Sequence, residues 1–292
     1  MSPDPLWFAL YLRANYAFWG RLPSKLRDRR ALRWYGTLVH RTVSRRARRQ
    51  QYFGTFFLRN RPALEQIRRL VMGRPSGAAL RLAILGCSTG AEVYSVLWTV
   101  RSARPDLRVR TSAVDISPEI LAVAERATYT SESSEHVGTS IFERMTETER
   151  RAMFDWQDGT ATVKPRLREG ITWRVADAAD PLLLESLGRQ HIVLASNFLC
   201  HMEPQAAERC LRNIARLVEP EGHILVLGVD PDVRETVARE LGWRPLTELI
   251  REIHEGDPVL RRDWPMAWWG LEPLDDGRPD WQLRYAAAYQ LI

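Results

Sequence analysis

Four polar side chains stand just past four short apolar runs, where a small polar ligand could be held. Glu92 follows RLAILG inside the loop LGCSTGAEVYS; Asp115 closes VRTSAVD, Asp177 closes ITWRVAD and Asn197 closes HIVLASN. In the first loop Gly86 and Gly90 bracket a turn of small residues, so a ligand can approach backbone there. Glu92 lies just inside the next helical turn, where an acid either stabilises the helix dipole or meets a ligand's ammonium group. Asp115 follows that turn by about 25 residues, near the spacing at which an acid binds ribose hydroxyls. A helix cap is its other reading, although Ser117 and Pro118 already offer a cap and a first-turn proline. The loop has neither the three-glycine dinucleotide fingerprint nor a Gly-Lys-Ser/Thr sequence. The pattern therefore points to a nucleoside-containing ligand without phosphates.

For these groups to meet, the apolar runs must be neighbouring strands of one sheet. RLAILG, VRTSAVD, ITWRVAD, HIVLASN and HILVLG alternate with helix-like stretches at 91–100, 118–126 and 204–217. That alternation predicts an α/β fold with a parallel sheet covered on both faces, and ligands then bind beyond the strands' carboxyl ends. Residues 1–76 read as helices. Apolar side chains recur near helical spacing within 27–50, and Pro62 suits the first turn of a helix ended by Gly73 and Pro75. Residues 77–292 would form the second unit. Near its end RETVARELGWRPL reads as a helix ended by Gly242, TELIREIHEGDPVL as an edge strand and RYAAAYQLI as a last antiparallel strand. Trp264, Trp268, Trp269 and Trp281 form a tryptophan-rich extension at about 255–292, read as core, as an aromatic wall for a ligand, or as a partner face.

Composition narrows the possibilities. The 292 residues are 45% hydrophobic and 27% charged, ordinary values for a globular chain. No run of about 18 uncharged apolar residues occurs, so no transmembrane helix is expected. The nearest, Leu6 to Trp19, is broken by Arg13 and Asn15 and lacks the flanks of a signal peptide. Cys87, Cys200 and Cys210 are too few for a disulfide framework and point to a reducing, cytoplasmic setting. A metal site of Cys200, His201, Cys210 and His191 lacks paired ligand spacing, and none is expected. Residues 1–75 carry 17 Lys and Arg against Asp4, Asp28 and Glu65, leaving the remainder net negative. The run RTVSRRARRQ (41–50) suits nucleic acid, an acidic protein or an anionic membrane, but reads first as a solvated helix face, packing on the acidic remainder. Without interleaved aromatics or a recognised binding motif, a nucleic-acid partner is not favoured.

CSTGAEVYS resembles the run of small residues followed by Gly-Glu-Glu-Pro-Tyr-Ser in the CheR family of chemotaxis-receptor glutamate methyltransferases. VDISPEILAVAERATYT, VLASNFLCHM and TFFLRN resemble further segments of that family, in its order, across roughly residues 50–230. The resemblance implies an S-adenosylmethionine-dependent methyltransferase, yielding S-adenosylhomocysteine, with a class I Rossmann-like sheet, an N-terminal helical domain and a small β insert at about 130–170. It implies cofactor contacts from Gly86 and Ser88 in the turn, Glu92 to the methionine amino group and Asp115 to the ribose. Asp177 would lie near the adenine and Asn197 near the methionine end, with Thr55 closing from the helical side and Ile116, Ala178 and Phe198 as further cofactor contacts. Arg59, Arg61 and His201 are the acceptor-side candidates. Departures concentrate there. Ser196 and His201 replace the family's Arg and Tyr, Arg59 comes one place late after Phe56-Phe57-Leu58, and Gly228-Val229-Asp230-Pro231 replaces Gly-His-Ser-Glu. His201 either supplies a base near neutral pH or packs beside Met202. The implied reaction methylates a carboxylate or similar nucleophile on a protein or metabolite. Alternatives are a small-molecule O- or N-methyltransferase and a non-catalytic cofactor-binding sensor.

Overall fold

The computed structural model describes residues 6–27, 29–46, 49, 52–130 and 140–292. Ala47, Arg48 and Gln50 of the basic run, and 131–139 of the expected insert, lie outside the described residues. Among the described residues, ten strands form two sheets. The first holds β1 (Ala79–Leu85), β2 (Arg108–Asp115), β6 (Ile171–Val175), β7 (Gln190–Ser196), β8 (Val218–Leu227), β9 (Arg244–Pro245) and β10 (Ala288–Gln290). Their order is β6-β2-β1-β7-β8-β10-β9. Neighbours are parallel from β6 through β8, and only β10 runs opposite to the strands on either side. The second sheet is small and antiparallel, made of β3 (Thr128–Thr130), β5 (Thr160–Val163) and β4 (Phe154–Gln157).

The central strands are largely apolar because alternate residues enter different cores. Leu80, Leu82 and Ile84 of β1 join one buried cluster, and Ala83 and Leu85 join another. β7 divides in the same way, with Ile192 and Leu194 on one face and Val193 and Ala195 on the other. The helix Ala91–Ala103 covers the first face, and the helices Pro204–Ala215 and Pro231–Glu240 cover the second. The helix Arg61–Met72 also belongs to the first cluster through Ala63, Ile67 and Val71. The helix Arg61–Met72 thus shares a core with strands that follow residue 77. Asn60 caps this helix by accepting the Ala63 N–H, and Pro62 occupies its first turn as the sequence predicts.

A third cluster ties the segment before that helix to the small sheet. Phe57 is fully buried and meets Tyr129, Phe142 and Phe154 at centroid distances of 5.1, 5.5 and 4.9 Å. Further upstream, the helices Leu6–Arg21 and Arg30–Arg46 pack on the tryptophan-rich segment. Trp19 and Trp264 meet edge to face at 5.4 Å, and a Cβ on Gly36 would lie 2.3 Å from Trp264.

Two C-terminal expectations change. TELIREIHEGDPVL forms not an edge strand but two short helices, Ile250–Glu255 and Pro258–Asp263. Ile250 and Ile253 fall at helical spacing, and Asp257 caps the second helix ahead of Pro258. RYAAAYQLI supplies a strand only at Ala288–Gln290, because the preceding Trp281–Tyr285 is helical. Among the described residues, no helix is long and apolar enough to cross a membrane.

Candidate functional site

The carboxyl ends of β6, β2, β1 and β7 lie side by side, with Leu85 opposite Val114 and Ala195, and Asp115 opposite Val175. From β1 the chain order runs outward in both directions, and at such a switch point the loops part to leave a crevice. A cleft of about 250 Å³ opens there. Thr55, Gly86, Ser88, Glu92, Asp115, Ile116, Asp177, Ala178, Asn197 and Phe198 all line it, together with Arg59 and His201.

Backbone geometry shapes the cleft. Gly86 (φ +64°), Ser88 (φ +51°) and Gly90 (φ +89°) are left-handed, curling the loop beneath the ligand space. A Cβ on Gly86 would lie 2.6 Å from the Phe198 ring, so glycine lets that ring close over the loop. The Asp115 carboxylate accepts the Ser88 N–H at 2.8 Å and the Ser117 N–H at 3.2 Å. It thus joins two adjacent strand exits, while Ser117 caps the following helix by accepting the Ile120 N–H. Ionised, a carboxylate has about four acceptor positions, so capacity remains for ligand hydroxyls. Asp177 steadies its own loop by accepting the Ala179 N–H at 2.8 Å. Asn197 is left-handed (φ +58°) and packs so closely on Gly228 that a Cβ there would lie 2.0 Å from its side-chain oxygen. Across the cleft, the Ser88 hydroxyl donates to the Phe53 carbonyl and ties the loop to the segment carrying Thr55.

Burial pushes the Glu92 carboxyl above its usual range, with the Ser196 hydroxyl and the Arg59 charge opposing the rise. A carboxylate desolvated inside a cleft is stabilised by a docking cation. This arrangement fits an S-adenosylmethionine-type ligand, with an ammonium for Glu92, hydroxyls for Asp115 and apolar walls from Ile116, Phe198 and Met202. Among the described residues, no group of three or more His, Cys, Asp or Glu could hold a metal ion.

A second cavity of about 430 Å³ adjoins the cleft and shares Tyr52, Gly54, Arg59, Asn197 and His201 with it. Buried Asp257 accepts Arg59 Nε at 2.6 Å and an Arg144 guanidinium N–H at 3.0 Å on its other oxygen. Burial resists ionisation of Asp257, but the two guanidiniums outweigh it and hold the carboxyl below its ordinary value. Arg59 reaches this position after fully buried Leu58, whose left-handed backbone (φ +56°) turns the chain. His201 ends a short 3-10 turn, Leu199–His201. Arg49 brackets it by donating to the carbonyls of Cys200 and Met202 at 2.7 and 2.8 Å. Arg49 thus departs from the expected solvated face of the basic run, with its side chain only 5% exposed.

Arg61 is not in either cavity. It forms a two-pronged pair with Glu149 at 2.6 and 2.7 Å on the outer surface, because the first turn of its helix points toward the small subdomain. Conversely, Arg144, Asp257, Trp268 and Trp269 line the second cavity. Of these, Arg144 and Asp257 carry no motif to mark them; the Asp-Pro pair at 257–258 is legible only as a helix cap.

The family description "CheR methyltransferase, SAM binding domain" matches residues 54–241. The "Probable biofilm formation methyltransferase WspC" of Pseudomonas putida is 30% identical over 200 residues, 67% of this chain and 43% of that protein. An uncharacterized 104.1 kDa protein of Rhodobacter capsulatus is 26% identical over 216 residues, 66% of this chain and 21% of that one. The chain thus spans less than half the length of these relatives. Among solved structures, the magnesium protoporphyrin IX methyltransferase of Synechocystis PCC 6803 is 13% identical with a TM-score of 0.36, covering 72% of this chain and 86% of that one. The CMeT domain of the citrinin polyketide synthase is 20% identical with a TM-score of 0.37, covering 56% and 34%. Likeness at this level bears on neither substrate nor mechanism.

Proposed function

This chain belongs to the CheR methyltransferase family and is an S-adenosylmethionine-dependent methyltransferase with a class I Rossmann-like fold; on that premise we propose that it methylates a carboxylate. The observation that carries this reading is the position of Arg59. It lines both the cleft at the strand exits and the adjoining cavity, so a cation stands where an acceptor would meet the methyl donor. Bound in the cleft, the cofactor supplies a methyl group on a sulfonium, so an attacking carboxylate oxygen gains the methyl as the bonding pair leaves on sulfur.

The residues of the chain divide the remaining work. Glu92 pairs with the ammonium, Asp115 takes the ribose hydroxyls, and Ile116, Asp177 and Ala178 bound the adenine side. Gly86 and Ser88 form the floor, while Thr55, Asn197 and Phe198 enclose the methionine end. Arg59 orients the acceptor carboxylate. Such an acceptor is already ionised and needs no general base, so alignment and exclusion of water are the main tasks. His201 shapes the junction between the two spaces. The reading includes a cytoplasmic setting, supported by three buried free thiols.

The test uses methyl-tritiated S-adenosylmethionine with extract divided into protein and small-molecule fractions. A carboxyl methyl ester releases volatile methanol in alkali. Label that resists alkali, on oxygen or nitrogen of another kind, overturns the carboxylate assignment.

A further inference from the structure

We propose that the methyl acceptor is a small aromatic carboxylate, bound in the cavity between Arg144 and the Trp268–Trp269 pair. This rests on the reading of the adjoining cleft as the cofactor site.

The first support is where the cavity walls come from. Asp257, Asp263, Trp268 and Trp269 lie beyond residue 241, where the family match ends. The acceptor space is therefore enclosed by a segment that the shared methyltransferase domain does not supply. That segment is firmly seated: Trp264 wedges against Gly36 and Trp19, and the Pro265 carbonyl lies 3.4 Å from His40 Nδ1. At about 430 Å³, the space falls within the range of small-molecule sites.

The second support is the chemistry of the walls. Trp268 and Trp269 meet edge to face at 4.4 Å, and Phe56 lies beneath the Arg144 guanidinium at 4.9 Å. Planar rings of this kind favour a planar apolar body, since aromatic pairs gain from stacked or edge contacts beyond simple burial. The charge is unbalanced in the opposite sense to the ligand. Arg59 and Arg144 share the single carboxylate of Asp257, while Asp263 is occupied by Arg262 and by the Trp269 indole N–H at 2.9 Å. One positive charge is left over, and an anion completes it. Ester formation balances without a proton: the carboxylate oxygen bonds to the methyl carbon, and the carbon–sulfur pair remains on sulfur.

Calorimetry on the full chain saturated with S-adenosylhomocysteine tests this with benzoate, 2-naphthoate and indole-3-acetate as probes. At least one should bind, with benzamide and cyclohexanecarboxylate at least tenfold weaker. Trp268→Leu and Arg144→Gln should each weaken that binding fivefold or more, with folding checked by their S-adenosylhomocysteine affinity. Failure of every aromatic acid to bind the complex overturns the proposal, as does equal binding of the non-aromatic acid. Failure of S-adenosylhomocysteine itself to bind overturns instead the reading of the cleft. Base-labile label found only on protein would likewise assign the cavity to a protein side chain and overturn the small-molecule acceptor.

Discussion

Asp257 accepts the Arg59 Nε at 2.6 Å across 198 positions of sequence, joining the C-terminal segment to the residue that stands between the two cavities. The same carboxylate holds Arg144 on its other oxygen, so one buried acid sets the orientation of both cations that line the second cavity. Breaking a buried pair leaves uncompensated charge, a larger loss than the pair contributes in total.

Asp257→Asn should therefore destabilise the fold by about 1–3 kcal/mol at neutral pH, the cost of disturbing a charged hydrogen-bonded group. The folded-state pKa of Asp257 lies below its ordinary 3.8, so its stabilisation is complete above that value and is lost as pH falls through the folded one. The gap between wild type and variant in urea midpoints should accordingly be widest near neutrality and close in acid. A gap independent of pH would separate Asp257 from the arginine charges.

Asp115→Ala removes the acceptor for the Ser88 and Ser117 N–H groups and the carboxylate offered to ribose. Each charged hydrogen bond lost is worth about 1.5–3 kcal/mol, so S-adenosylhomocysteine affinity should fall about ten- to a hundredfold. Calorimetry reads this directly, and unchanged affinity would move the ribose elsewhere.

Glu92 offers a pH signature. Burial raises its pKa above the ordinary 4.5, so on the acid side it holds a proton that must leave when an ammonium docks. Affinity for S-adenosylhomocysteine should decline as pH falls through that raised value, with proton release seen as a buffer-dependent heat. Glu92→Gln should bind more weakly and lose this release; a variant that keeps it would assign the proton to another group.

Gly228→Ala would place a Cβ 2.0 Å from the Asn197 side-chain oxygen at a backbone φ of +58°. Relief requires Asn197 to move. The expected result is about 1–3 kcal/mol of lost stability from overpacking, with methyl transfer reduced more than cofactor binding. A melting curve beside a turnover assay distinguishes the two effects, and an unaffected turnover would remove Asn197 from the reacting end.

Phe57→Ala should cost about 3–5 kcal/mol, the usual loss for a fully buried aromatic. Because Phe57 anchors the segment leading to Arg59, limited proteolysis between 52 and 60 should also accelerate. Resistance equal to wild type would show that the Ser95 hydroxyl bond to the Leu58 N–H suffices to hold the segment.

The sequence by itself determined the cofactor half. A parallel sheet places successive strand exits on one edge, so Glu92, Asp115, Asp177 and Asn197 had to converge once their apolar runs were strands, and local turn chemistry at Gly86 and Ser117 marked the loops. The helix at 61–72 was legible for the same reason, since its cap, first-turn proline and terminal glycine are all local signals. Only the tertiary structure decided the acceptor half. Asp257, Arg144 and the two tryptophans come from separate segments with no common period. That Arg59 and not Arg61 lines the cavities turns on the backbone at fully buried Leu58, which is left-handed. The segment TELIREIHEGDPVL reads as a strand yet folds as helices because short apolar runs support either period until packing selects one. Contacts near in sequence follow from residue type and spacing; contacts across 198 positions depend on how whole elements are brought together.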